Sequence, residues 1–371
     1  MLILPNERAF GMRLMAGVGA YSGERGGWWF TVPGLGGQAP ETADPIAWAG
    51  DGVILPVTSQ PLADALLASR RPFVNITTFP GVPSVGNDNH AIGLMAAEHL
   101  LERGFRNFAF AEYDTTIYAS QRGEAFRDAI RQARFECIER HRHIPSGGTP
   151  EPMDAYAQWL QRLPRPCGVF VFTDARAWAI LQAAERLAIR VPDELAILGA
   201  DNEPFCACTN PPLSSIALDG YQIGYRAAQL LDELMHGAPA PAEPILIPPR
   251  HIVVRRSTDA LAIADPLVAD VIRHIRLNAH RPIDVAELLR DSGVSRRTLE
   301  RRFLATRGHT PFIEIRNAQL RHAERLLRET DLSISRVARS TAFATLRQLG
   351  KIFREEHGIS PSAWRKRFRS S

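Results

Sequence analysis

The sequence predicts two folds in series. An α/β domain of two doubly wound lobes occupies residues 1–255, and an all-α domain with two helix-turn-helix units occupies residues 266–371. Three observations predict this. Short apolar runs alternate with helical periodicity through the first two-thirds of the chain. One helix-turn-helix pattern then occurs twice, as VAELLRDSGVSRRTLERRF and again as ISRVARSTAFATLRQLGKIF. The charge also changes sign: residues 1–265 carry 22 Lys+Arg and 29 Asp+Glu, whereas residues 266–371 carry 22 and 11.

In the first part, strands are expected at residues 52–57 (GVILPV), 72–77, 107–113, 168–173 (GVFVFT), 195–200 (LAILGA) and 214–218. Helices are expected at 11–23, 61–70, 89–103, 120–133, 152–163, 175–189 and 221–237. In the third of these, Ile92, Met95, Ala96, Leu100 and Arg103 recur at three- and four-residue steps, which gives one buried face. Alternating β and α units build parallel sheets covered by helices on both faces. There are too many units for one small sheet. Two lobes joined by segments near 80–88 and 210–217 fit better.

Ligands of such sheets sit beyond the carboxyl ends of the strands. Asp88, Asp114, Asp174, Asp201 and Asn202 all follow apolar runs, and Arg122 opens a helix in SQRGEAF. Carboxylates and a guanidinium around a cleft can pair with the hydroxyls of a polyol. Asp is also a common helix N-cap, and Asp174 before ARAWAIL fits that role equally well. Phe10, Trp28, Trp29 and Trp178 could stack on a sugar ring or fill the core.

RRSTDALAIADP loses periodicity, and residues 256–265 read as a linker. A helix is expected at 267–278. In the first unit Val285, Leu288 and Leu289 face inward, Gly293 allows the turn, and Ser295 caps the next helix. Leu299 and Phe303 then point inward, while Arg296, Arg297, Glu300 and Arg301 point outward. A connecting helix at 311–330 should bury Ile315, Leu320, Ala323 and Leu327. In the second unit Ile334, Val337, Ala338, Leu349, Ile352 and Phe353 are inside. Thr345, Arg347, Gln348 and Lys351 are outside, and Arg365, Lys366 and Arg367 follow a Trp near the end. Arg pairs with guanine through two hydrogen bonds, Glu accepts from cytosine, and further cations hold phosphates. Operator DNA is therefore the expected partner of the basic end.

No apolar run approaches a membrane span, and the N-terminal residues lack a secretory design, so a cytoplasmic protein is expected. Cys137, Cys167, Cys206 and Cys208 read as reduced thiols. No second pair completes a zinc site. No phosphate loop, zinc-protease motif, nucleophile elbow or dinucleotide fingerprint occurs, so no cofactor or metal is expected. The chain reads as a regulator rather than an enzyme. An enzyme with a DNA-binding tail, and a DNA-binding protein whose first domain only dimerises or senses a non-sugar ligand, stay open.

PSVGNDNHAIGLMAAEHLLERGFRNFAF, VPDELAILGADN and PPLSSIALDG resemble the effector domain of lactose-repressor-type regulators, a fold shared with periplasmic sugar-binding proteins. The resemblance implies sugar contact by Asp201 and Arg122, with Asp88 and Asp174 nearby, and a homodimer. RNAQLRHAERLLRET and IFREEHGISPSAWR resemble the arabinose-regulator (AraC) family of activators. Together the two halves are similar to the xylose-operon regulators. They imply a pentose effector, activation of catabolic genes and contact with RNA polymerase. Three residues depart from the families' patterns: Leu218 stands where a cleft Gln is expected, Ala342 replaces a turn Gly, and Gly350 lies inside the second reading helix.

Overall fold

The computed structural model describes every residue except 5–7, 34–43, 48, 112–116, 141–152, 260–264, 342, 344 and 370–371. Residues Met1–Ala260 and Leu261–Ser371 form two compact units.

The first unit contains α1 (Arg8–Arg25), β1 (Val53–Leu55), α2 (Gln60–Ala68), β2 (Phe73–Asn75), β3 (Val85–Asn87), α3 (Asn89–Glu102), β4 (Asn107–Ala111) and α4 (Ile117–Gln132). It continues with β5 (Cys137–Arg140), α5 (Met153–Arg162), β6 (Cys167–Val171), α6 (Asp174–Arg186), β7 (Leu195–Ala200), β8 (Ser214–Ala217), α7 (Gly220–Met235), β9 (Ile245–Ile247) and β10 (His251–Val253). One lobe holds the parallel pairs β1–β2 and β3–β9. Bridges Leu2↔Ile54 and Asn75↔Ser84 link them to each other and to the N-terminal residues. The other lobe is a six-stranded sheet in the order β10-β8-β7-β6-β4-β5, parallel except for β10.

The apolar runs become strands because both faces of each sheet are covered. All five residues of β6 and all six of β7 are buried. Phe110, Phe126 and Phe170 meet between β4, α4 and β6 with ring centroids 5.4–6.2 Å apart. In the first lobe α1 packs along α7 and buries Phe10, Leu14, Val18 and Tyr21. Two glycines set that approach. A Cβ on Gly17 would lie 2.0 Å from the Tyr221 carbonyl oxygen, and one on Gly224 would lie 2.0 Å from that of Leu14.

The chain crosses between lobes at residues 87–89, 217–220 and 247–251. The third crossing was not expected. It arises because β9 pairs with β3 in one lobe and β10 with β8 in the other. β3, β5, β9 and β10 were not anticipated in sequence, whereas the equally short β1, β2 and β8 were. The expected linker begins too early. Arg256–Thr258 form a 3-10 turn in which Ser257 and Thr258 are fully buried. The Ser257 hydroxyl donates to Ile197 O (2.6 Å), and the Thr258 hydroxyl donates to Ser214 Oγ (2.8 Å). Small hydroxyl residues look like linker in sequence, yet here they satisfy buried backbone groups.

The second unit comprises α8 (Pro266–Leu277), α9 (Val285–Ser292), α10 (Arg296–Arg307), α11 (Pro311–Glu329), α12 (Ile334–Ser340), α13 (Leu346–His357) and α14 (Pro361–Arg369). It has two apolar cores. One gathers Val268, Ile272, Leu288, Leu299, Phe303 and Ile315; the other gathers Leu320, Leu327, Val337, Leu349, Phe353 and Trp364. Both draw on α11. Side-chain caps start six of these helices: Asp265, Asp284, Ser295, Ser333, Thr345 and Ser360 each accept a backbone N–H of the first turn. Gly293 closes α9 at φ +65°, as the turn requires. Glu287 binds Arg281 and His274, which hold its carboxyl down to about 2 and clamp α9 to α8 and the loop between them.

Candidate functional site

A cavity of about 320 Å³ opens in the first unit where the two lobes meet. Its polar lining includes Thr58, Asn87, Asn89, Tyr118, Arg122, Thr173 and Asp201, and its apolar lining includes Ile3, Leu4, Phe10, Pro56, Ile76 and Leu218. The volume is that of a small-molecule site.

Arg122 organises it. The side chain is buried, donates from Nε to Asn89 Oδ1 (3.0 Å) and from Nη1 to Phe172 O (2.6 Å), and lies 4.0 Å from Asp201 Oδ1. Its guanidinium also sits over the Tyr118 ring, 5.5 Å from the centroid. Asn89 Nδ2 and the Thr78 hydroxyl both donate to Gln121 Oε1. The cluster thus joins the end of β2, the start of α3 and helix α4. Asp201 leaves β7 at φ +109° and Asn202 follows at φ +49°. A bound polyol would find a carboxylate, a guanidinium, amides and hydroxyls against one apolar wall.

Phe10, Arg122 and Asp201 line the cavity as sequence suggested. Asp88, Asp174, Asn202, Trp28, Trp29 and Trp178 do not. Asp88 caps α3, its Oδ1 accepting from Ala91 N (2.9 Å), and its neighbour Asn89 faces the cavity instead. The signal was present: an Asp immediately before an apolar-periodic run is a cap, and the next residue opens the helix. Asn202 Oδ1 accepts from Arg255 Nη2. Trp178 stacks on Phe205 at 5.2 Å, outside the cavity and largely exposed. Asp114 lies outside the described residues. Thr58, Asn87 and Thr173 were missed because each belongs to a loop or a strand end without a pattern of its own, and Tyr118 because α4 starts at Ile117, three residues before the expected helix.

Asp174 is the first residue of α6, and it is completely buried. Its Oδ2 accepts from Glu203 N (2.9 Å), and the Glu203 carboxylate accepts the N–H groups of Ala9 and Phe10. Asp174 therefore steadies the residue that holds Phe10 at the cavity. Burial pushes its carboxyl up to about 6, against hydrogen bonds from Ser215, Glu203 and Cys206. The folded state binds this proton more tightly than the unfolded chain. The stabilisation is complete below about pH 4 and is lost as pH rises toward 6, leaving a buried charge at neutral pH. Asp174→Asn is expected to raise the melting temperature at pH 8, with the gain shrinking at pH 5. A pH-independent difference in thermal scans would contradict this.

On the second unit, α10 and α13 follow the two turns. Arg297 and Arg301 are exposed, with no ion pair among the described residues, whereas Arg296 pairs with Glu300 at 2.8 Å. Arg347 and Gln348 are exposed on α13, and Lys351 lies 3.7 Å from Glu355. Two of the expected contact residues have roles within the fold. Thr345 is the cap of α13, its hydroxyl accepting from Gln348 N (3.1 Å). Arg365 is half-buried and donates to Leu332 O (2.6 Å), holding α14 to the turn before α12. Lys366 is exposed; Ala342 lies outside the described residues. Gly350 does not break α13, which runs unbroken past it. A Cβ there would meet only the far end of Arg354, at 3.4 Å. Gly350→Ala is expected to stabilise this unit by about 1 kcal/mol. A fall in denaturation midpoint would show a constraint that helix preference does not capture.

Among the described residues no cluster of His, Cys, Asp and Glu could hold a metal ion. No described helix is long and apolar enough to cross a membrane.

Comparison with known proteins bears on both units. Residues 97–258 match the periplasmic binding protein-like domain, and residues 288–367 match a helix-turn-helix domain. The chain is 32% identical to the xylose operon regulatory protein of Escherichia coli strain K12, over 98% of this chain and 96% of that protein. It is 32% identical to that of Haemophilus influenzae, over 77% and 76%. The solved structure of a xylose-binding transcription activator superposes with a TM-score of 0.61 at 30% identity, covering 98% and 97% of the two chains. A ribose-bound regulator of the lactose-repressor family from Enterococcus faecium shares the fold of the first unit, with a TM-score of 0.56 at 22% identity over 70% and 98%.

Proposed function

The chain belongs to the family of the xylose operon regulatory proteins, and from that premise we propose that its cleft takes a pentose and that occupancy alters how the helical unit binds DNA. It is a transcription regulator in which a sugar-binding α/β domain precedes a helix-turn-helix DNA-binding domain. The observation that carries the ligand reading is Arg122 beside Asp201 in one enclosed, partly apolar cavity. Asp201 accepts sugar hydroxyls, Arg122 donates to ring or hydroxyl oxygens, and Phe10 covers the C–H face. Xylose, the sugar named for the relatives, heads the candidates.

Leu218 favours a variant of this reading. It is buried and apolar in the lining, so a hydroxyl pressed against it would lose its hydrogen bond. A pentose lacking a hydroxyl on that edge fits such a wall. A thermal-shift panel of aldopentoses and their deoxy forms tests both. A ligand at a hundred times its dissociation constant should stabilise the fold by about 2.7 kcal/mol. No shift with any sugar would leave the first unit as a dimerising domain only.

In this proposal the two helix-turn-helix units of each chain enter successive major grooves, and a homodimer in the cytoplasm reads two such sites and contacts RNA polymerase. Arg297, Arg301, Arg347 and Gln348 reach base edges, and Lys351 and Lys366 hold phosphates. Arg297→Ala should relax base preference at one operator position by about 1–3 kcal/mol, while Lys366→Ala weakens all sequences alike and flattens the salt dependence by about one unit. Binding selection on randomised DNA checks this, with Gln348→Ala expected to erase less sequence information than Arg297→Ala. The reverse ranking would place the dominant reader in the second unit.

A further inference from the structure

The segment that leaves the α/β unit is tied by Arg255 to the residue that follows Asp201. Arg255 follows β10. Its Nη2 donates to Asn202 Oδ1 (2.8 Å) and its Nη1 to Leu213 O (2.7 Å). Its backbone N–H donates to Ser214 Oγ (2.8 Å), and that hydroxyl donates back to Arg255 O (2.8 Å). Asn202 directly follows Asp201, a residue of the cavity lining.

Asp201 and Asn202 form a kink of two consecutive non-glycine residues at positive φ. Such conformations hold only where the surroundings over-determine them, and they gather at switching sites. The surroundings here are Arg13 Nη2 donating to Asp201 O (2.8 Å), Asn202 N donating to Ser215 Oγ (2.9 Å), and Arg255. One end of the kink thus faces the cavity while the other holds the exit segment. Beyond Arg255 the anchors no longer touch the Asp201–Asn202 kink. Ser257 binds Ile197 O, and Thr258 binds Ser214 and His99, residues that do not line the cavity.

We propose that Arg255 is a positioning residue for the ligand response. A ligand hydroxyl on the Asp201 carboxylate shifts the Asp201–Asn202 kink, and the Asn202–Arg255 bond carries that shift into the segment leading to the helical unit. The proposal rests on the cleft being the effector site. A ligand moves such an equilibrium only through contacts that differ between its two states, and a strained kink with a carboxylate in the cavity supplies one.

The test uses full-length protein and a DNA site selected from a random pool. DNA affinity is measured with and without D-xylose, L-arabinose or D-ribose. The wild type should show a ratio of the order of 5–150-fold with at least one of them. Asn202→Gly keeps the positive φ and removes the amide, and Arg255→Gln removes the fork. In both the ratio should fall below about twofold, while calorimetric sugar affinity stays within about threefold, since neither side chain lines the cavity. The double variant should match the single ones, as expected for two ends of one contact. Ser257→Ala should lower the melting temperature but keep the ratio, which separates coupling from stability. A retained ratio in both single variants, or equal loss in Ser257→Ala, overturns the proposal. A wild type silent to all three sugars sinks the effector reading itself, and this inference with it.

Discussion

Arg122→Ala is expected to abolish the sugar response and to destabilise the first unit as well. The side chain lines the cavity and is buried, so its removal acts twice. A hydrogen bond from a charged group is worth about 1.5–3 kcal/mol, and a bound ligand would lose at least one, a ten- to hundredfold loss of affinity. The protein loses two more, to Asn89 Oδ1 and Phe172 O, and Asp201 loses its neighbouring cation. Breaking one side of a buried charged cluster typically costs about 3–5 kcal/mol. Calorimetry and thermal melting should therefore fall together. Asp201→Ala should lose affinity with a smaller drop in stability, because its backbone oxygen still accepts from Arg13. Near-normal sugar affinity in both variants would place the ligand elsewhere.

Gly224→Ala should be among the most damaging single-methyl changes in the chain. The added carbon would stand 2.0 Å from the Leu14 carbonyl oxygen and 2.8 Å from its carbon, both of them backbone atoms. Neither can swing aside like a side chain, so α1 must slide along α7 or lift from it. Overpacking a tight interior generally costs about 1–3 kcal/mol, and a backbone obstacle sets the upper end. Movement of α1 also carries Phe10 away from the cavity and strains the Glu203 contact with its first turn. The variant should lose several degrees of melting temperature and weaken sugar binding. An unchanged melting temperature would mean the two helices are packed more loosely than their glycines suggest.

The long, strongly patterned elements were legible in sequence. β7 was expected at 195–200 and found there; on α3 the expected Ile92, Ala96 and Leu100 are buried and Met95 is half-buried, while the buried Asn89, Gly93, Ala97 and His99 were not anticipated. In the helical unit, Ser295 as cap and Gly293 as turn residue followed from local chemistry alone. The cleft was less legible. Its residues come from strand ends, loops and crossings whose neighbours are fixed by tertiary contact. Asp88 and Asn89 illustrate the limit: one residue of register decides which polar group caps a helix and which faces the cavity. Arg255 carried no signal, because an arginine in a polar stretch looks solvent-exposed until Asn202 and Leu213 are seen beside it.

One feature of the helical unit constrains how operators of this protein can diverge. Because α11 is built into both apolar cores, it acts as a ruler of fixed length, about 28 Å for its 19 residues at 1.5 Å each. Inserting one residue would turn the second core's contacts by about 100° relative to the first, so neither core could adapt alone. The DNA has a matching rigidity, since each base pair turns the groove by about 34°. In the proposed reading, where both units enter the major groove, the spacing between the two groove segments is locked to the protein's own geometry. Base identity within each segment can drift by single substitutions, but an inserted or deleted base pair between them would throw one reading helix out of phase at a stroke.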